Sequence, residues 1–397
     1  MSARKIGFLI LVLLFGAVVE LSWNVRENHY SFGPEGLRVL GGRFYGPSFE
    51  FEETAERALP SEEATDVEVR NSFGEVRVAP GEGSEIQVRL RKVVFRPTEE
   101  KARGFSERVE LQIEEDEGRI RVGTNRDELE GGDDVGFETH LEVRVPPNTA
   151  VQVRNEHGVV DVRGVASARI RSGFENVRVE TIAGAVSIDT RQGAVEVSGL
   201  GGDLTLESRH GDVEVSDVAG LADLDVQHGR VSVREAGGVN ARASYGEVEV
   251  EGVKGDVVIH ARRAGVRTAE VSGGADIQTT FADVRVERVA GPVQVRVEHG
   301  DAHLAPGAPI TTAIDATASH GEIRLEVPAG SRFELDAESR HGELDFDVPD
   351  LDVELLVTET PARATGRLGG GGARVTLRAR GDITLEAGPD ELPAEQE

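Results

Sequence analysis

The chain has 397 residues, a formal net charge of −28 and no cysteine. The acidity disfavours nucleic acid and anionic membrane surfaces as partners, because phosphate binding needs clustered Lys and Arg; the missing thiols exclude disulfides, thiol catalysis and thiolate metal sites. Gly is abundant at 48 residues and aromatics are scarce at 5%, which suits many tight turns around a core of Val, Ile, Leu and Ala.

Arg4 and Lys5 precede an apolar run over residues 6–19, which Leu21, Ser22 and Trp23 extend beyond Glu20. A cationic start followed by an apolar stretch predicts an export signal. No small-x-small cleavage site follows, so residues 1–23 read as an uncleaved signal anchor that holds the membrane through residues 6–23. The expected state is a single pass with the C-terminal part extracytoplasmic. A cleaved peptide is the alternative and gives a secreted or periplasmic protein. Residues 24–47, rich in Gly and polar groups, read as a juxtamembrane linker.

Residues 48–150 read as an irregular N-terminal part of a β-structure. Apolar alternation marks Phe49 and Phe51, then Val67, Val69, Val76 and Val78 around the turn Ser72-Phe73-Gly74-Glu75. Thr98 is placed to cap a short helix through Glu99, Glu100, Lys101 and Ala102, the one helix expected in the exported part. Leu111 and Ile113, then Ile120 and Val122, predict a hairpin around Gly118. Residues 124–136 are acidic and Gly-rich and read as a loop. Residues 140–145 form a further strand, closed by Pro146 and Pro147.

Residues 151–386 carry a repeat. A planar side chain, usually followed by Gly, separates two short alternating segments, at His157, Phe174, Gln192, His210, His228, Tyr245, Ala264, Phe281 and His299. The steps are 17, 18, 18, 18, 17, 19, 17 and 18 residues, and two steps of 21 lead to His320 and His341. A second glycine recurs at Gly184, Gly202, Gly220, Gly238, Gly255, Gly273 and Gly291. A fixed period with two strands per unit predicts an all-β, single-stack β-solenoid of about 18-residue coils with short Gly turns, preceded by one N-terminal hydrophobic helix. In one unit Leu204, Leu206, Val213 and Val215 point inward. A last unit over residues 375–385 is expected to close the stack, followed by a disordered acidic tail over residues 387–397.

The ladder invites chemical readings. A row of imidazoles suggests zinc or copper, and His210 and His228 are the pair such a metal would take. Phe73, Phe174, Tyr245 and Phe281 share the row, which a ligand position would not admit. The preferred reading is a structural ladder of stacked planar groups at Phe73, His157, Phe174, His210, His228, Tyr245, Phe281, His299, His320 and His341, with no metal and no cofactor. Acidic residues after the turn glycine (Glu75, Asp212, Glu247, Asp301, Glu322, Glu343 and Asp382) suggest calcium. The Gly-Gly-x-Gly-x-Asp nonapeptide of calcium-binding rolls is missing, so ordinary turn chemistry is preferred. Glycoside cleavage needs a walled cleft and sugar platforms, yet Tyr245 is the only Tyr or Trp in the array.

With these repeats in view, the chain resembles the bacterial "putative adhesin" family of unknown function, the DUF4097 group, including LiaG-like proteins. The likeness rests on the phrase Ser72-Phe73-Gly74-Glu75-Val76-Arg77-Val78, on residues 141–146 leading into Val151 and Val153, and on the Gly-Asp-Val/Ile phrase at Gly211 and Gly381. It implies an exported or tethered solenoid without catalytic residues or cofactor. The function expected is a non-enzymatic envelope scaffold or adhesin-like surface, whose partner is an envelope protein or surface glycan. The alternatives are a partner-binding regulatory module in envelope-stress signalling and a polysaccharide-active β-helix enzyme. The sequence leaves the oligomeric state open.

Overall fold

A computed structural model describes residues 38–40, 43–45, 47–58, 66–116, 118–129, 136–357 and 361–388. The export segment, and the tail beyond Gly388, lie outside the described residues. Among the described residues no helix is long and apolar enough to cross a membrane. Within the stretch read as linker, Arg38–Leu40 and Arg43–Tyr45 pair as an antiparallel ladder. The described residues fall into two compact units, one within 38–52, 91–110 and 125–138, the other within 53–90, 111–124 and 139–388.

The first unit is built around helix α1, Glu99–Ser106. Thr98 is extended, and its hydroxyl accepts from the Lys101 amide, satisfying one of the free donors of the first turn. Glu99 and Glu100 add negative charge where the helix dipole favours it. The inner face places Ala102 and Phe105 against Val94, Val109 and Phe137. Residues 124–136, expected as a loop, contain a second short helix, α2, Arg126–Leu129. Its first residue explains it: the Arg126 guanidinium is buried 3.9 Å from the centre of the Phe137 ring and donates to the Phe137 carbonyl.

The second unit is an all-β, solenoid-like stack of parallel rungs. Each rung contributes one strand to each of two ladders. Val186 pairs with Leu204, and Leu204 with Ala222, on one ladder; Val195 pairs with Val213 on the other. Alternate residues face inward, so Leu204, Leu206, Val213 and Val215 are all buried. Each such side chain contributes about 1.5–3 kcal/mol when taken fully from water. The turn glycines are sterically required. Gly211 has φ +138°, and a Cβ there would lie 1.9 Å from the Gly193 carbonyl oxygen in the rung below.

Chain order and stacking order differ at both ends. Asp66–Phe73 pairs with Ala150–His157, and Val76–Pro80 with Val160–Arg163. Arg119–Thr124 and Phe137–Val145 pair on the opposite edges of the same two strands. At the other end the expectation for residues 375–385 needs correction. Ala373–Ala379 and Ile383–Ala387 do not close the stack. They pair with Ile314–His320 and Ile323–Val327 on one side, and with Phe333–Ser339 and Leu344–Asp347 on the other. The last rung in sequence is therefore inserted before the preceding one. The physical reason is burial: Val375, Leu377, Ile383 and Leu385 are fully buried and need a neighbour on both sides, whereas Leu344–Asp347 alternates half-buried residues with exposed carboxylates and tolerates an edge. A hairpin of Asp352–Val357 and Ala362–Leu368 pairs antiparallel with the outer side of Phe333–Ser339.

Candidate functional site: the ring-lined corner

The residue before each turn glycine projects from one corner, and parallel register puts equivalent residues directly above one another. His157 stacks between Phe73 and Phe174, with ring centres 4.4 and 4.7 Å apart. His228 stacks between His210 and Tyr245, at 4.8 Å on both sides. His299 stacks between Phe281 and His320, at 4.7 and 4.4 Å. These spacings match the separation of neighbouring strands, which is why planar side chains fit this position.

Between the triplets the ladder continues with other flat groups. Gln192 pairs with His210 in the register. The position above Tyr245 is occupied by Arg263, because Tyr245 pairs with Arg263 and Gly246 with Ala264. The sequence register assigned Ala264 there and was one residue late. Ala264 is buried instead. Arg263 holds the row together: its guanidinium carbon lies 5.5 Å from the Tyr245 ring and 5.4 Å from the Phe281 ring, and Nη1 donates to the Tyr245 hydroxyl at 2.7 Å. His320 and His341 are not neighbours. The inserted rung places Arg380 between them, and the His341 amide donates to the Arg380 carbonyl.

This geometry bears on the metal readings. The His210 and His228 rings lie nearly parallel, at 9°. Their in-plane lone pairs run side by side and do not converge on one ion. The aspartates after the turn glycine have a different occupation. The Asp212 carboxylate accepts from the Arg230 amide at 2.9 Å, Asp301 from the Glu322 amide at 2.9 Å and Asp382 from the Glu343 amide at 2.8 Å. Each carboxylate thus caps a backbone donor of the adjacent rung. At the second corner Asp203 and Asp256 do the same for the Leu221 and Gly274 amides. These two were missed in the sequence, although both follow glycine in the same Gly-Asp phrase.

Two further features were not anticipated. One is a row of left-handed residues at the bend after the second strand: Gly164, Thr181, Gly199, Asp217, Glu235, Gly252, Glu270, Arg288 and Gly307 all have positive φ. Only four are glycine, so residue identity hid the bend. The other is a pair of outward-facing carboxylates sealed under arginines. Glu68 is covered by Arg70, Arg121 and Arg154, and Glu287 by Arg285, Arg267 and Arg288. Burial alone would raise both carboxyl pKa values. The surrounding guanidinium groups, led by the hydrogen-bonding Arg70 and Arg285, outweigh it and hold both below the usual carboxylate range.

An apolar pocket of about 180 Å³ lies beside residues 304–314, walled by Val286, Leu304, Pro306, Pro309 and Ile310; none of its lining side chains is titratable.

No curated protein matches the chain. Two solved structures align with it at 10% identity. One, a "putative cell adhesion protein" from Clostridium sporogenes ATCC 15579, covers 85% of this chain and 100% of its own at a TM-score of 0.22. The other, a "putative adhesin" from Parabacteroides merdae ATCC 43184, covers 84% of this chain and 95% of its own at a TM-score of 0.25. Likeness at that level carries no functional argument. The family model of Toastrack DUF4097 matches residues 27–386, nearly the whole chain, and the protein belongs to that family.

Proposed function

We propose that the protein is a non-enzymatic, exported β-solenoid that offers its ring-lined corner as an adhesin-like binding surface in the cell envelope. On this reading residues 1–23 anchor it, residues 24–47 space it from the membrane, and residues 151–386 form a single stack of coils about 18 residues long. Its partner is an envelope protein or surface glycan.

The observation that carries the proposal is the corner itself. The turn aspartates Asp212, Asp301 and Asp382 are engaged in capping the adjacent rung, Glu75 and Glu247 are paired with Arg77 and Arg230, and the outward faces are laced with ion pairs such as Arg178–Glu196 and Arg234–Glu214. Among the described residues the rings at this corner are the exposed large aromatic groups, with Tyr245 at 38% and Phe281 at 46% exposure. Their faces are taken by one another, so ring edges and the Arg263 guanidinium meet a partner. Partly exposed aromatic and arginine side chains are the groups that dominate binding energy at interfaces.

The test is site-specific photo-crosslinking in intact cells, with a benzophenone side chain at position 245 or 281 of the full chain and at position 214 as the face control. Discrete adducts from the corner positions alone are expected. Adducts of equal yield from position 214, or none from the corner, would overturn the assignment.

A further inference from the structure

One outward column of the solenoid runs Arg267, Arg285, His303 and Arg324, each paired with the next in register. In the rungs carrying Arg267 and Arg285, the arginines cover the single carboxylate of Glu287. The pattern then breaks twice in one place. An imidazole replaces arginine at His303, and Glu326 lies directly opposite Glu386 in the parallel ladder. Like charges opposed across strands are destabilising. The cover over them is thin: His303 Nε2 lies 2.8 Å from Glu326 Oε1, and Arg324 Nε lies 3.9 Å from Glu386 Oε1. One ligand atom from each of His303, Glu326 and Glu386 falls within 4.8 Å of the other two, and all three residues are half-buried.

We propose that His303, Glu326 and Glu386 form a site for a divalent transition metal of the zinc class. One imidazole nitrogen with two carboxylate oxygens suits zinc, nickel or cobalt, whereas calcium and magnesium take oxygen ligands throughout. Three protein ligands leave further coordination positions for water. The ion offsets the repulsion between the two carboxylates. It also joins three successive rungs, Ala302–Ala305, Ile323–Val327 and Ile383–Ala387, the last being the rung that the chain inserts out of order. The site therefore clamps the segment whose place in the stack sequence continuity does least to secure.

The experiment is calorimetric titration of the full-length, tag-free, chelator-treated chain with zinc, with cobalt absorption as a second readout of nitrogen and oxygen ligation. One site per chain is expected. Affinity should fall by at least about tenfold in Glu386→Gln and further in His303→Gln, and stay unchanged in His210→Gln; loss of a group that merely hydrogen-bonds a metal ligand already costs about 10–100-fold. Saturating zinc should raise the melting temperature of the parent and leave that of His303→Gln where it was. Retention of the parent affinity in His303→Gln, loss of it in His210→Gln, or no saturable site in the parent would each refute the proposal.

Discussion

Placing a carboxylate at position 215 tests whether the rungs stand by mutual support. Val215 is fully buried and pairs with Val197 of the rung below; Val233, at the equivalent place above, is buried too. Val215→Asp forfeits about 2 kcal/mol of apolar burial. It also adds several kcal/mol for an unpaired buried carboxylate, or the cost of keeping it protonated. A single rung cannot absorb that, because each rung's stability comes largely from its neighbours' interfaces. Hydrogen exchange read by mass spectrometry should show lost protection across residues 186–253, with residues 66–163 and 314–327 near parent values. Val215→Ala, which removes two methyl groups and leaves no charge, should loosen the same region by roughly 1.6 kcal/mol plus a cavity term. Loss confined to residues 213–215, or spread evenly to both ends of the stack, would refute nearest-neighbour stacking as the source of stability.

Other outcomes follow from single positions. Gly211→Ala should lower stability in urea by more than about 1 kcal/mol, since φ is +138° and the new methyl meets backbone. Gly265→Ala, where a Cβ meets nothing within 4 Å, should stay within about 0.5 kcal/mol of the parent. Asp217→Gly should stabilise by up to about 1 kcal/mol by relieving a left-handed residue at φ 53°. Glu68 and Glu287 titrate below their unfolded-state value near 4.3. They therefore add stability above about pH 4.3 that is lost as pH falls through the lower folded values, and Glu287→Gln should flatten the fall in melting temperature between about pH 5 and 3.

The parts of this fold legible in the sequence are those set by one rung's own chemistry. Alternation marks Leu204, Leu206, Val213 and Val215 as inward because only one face of each strand is buried. Thr98 before two glutamates marks a helix start because few residues can cap one. The parts that stayed hidden depend on what lies above or below. Arg263 is neither aromatic nor imidazole, and it joins the ladder because its flat guanidinium lies between Tyr245 and Phe281. Ala264, one residue on, suited the count but not the register, since the pairing of Tyr245 with Arg263 fixes the phase. The left-handed bend was equally silent, because Asp217, Glu235 and Arg288 adopt it without being glycine.

Rung order was the least legible property, and the C-terminal insertion shows why. Any alternating segment of matching length can pair in parallel with any other, so pattern alone does not rank candidates for a given edge. Side-chain burial does. Residues 333–347 and 373–387 both offer two strands around a Gly turn, but their second strands differ: Leu-Asp-Phe-Asp in one and Ile-Thr-Leu-Glu-Ala in the other. Exposed Asp345 and Asp347 make the first a self-protecting edge, since acidic side chains on an unpaired strand discourage further pairing. The second has Ile383 and Leu385 to bury and a Gly-Asp turn whose Asp382 can cap Glu343 of an outer neighbour. Placing the rung of residues 373–387 inside therefore satisfies both segments, whereas the sequential order would expose the better core former and bury the acidic one. The same choice brings Glu386 opposite Glu326 beside His303, so the site inferred there is a direct product of the non-sequential stacking.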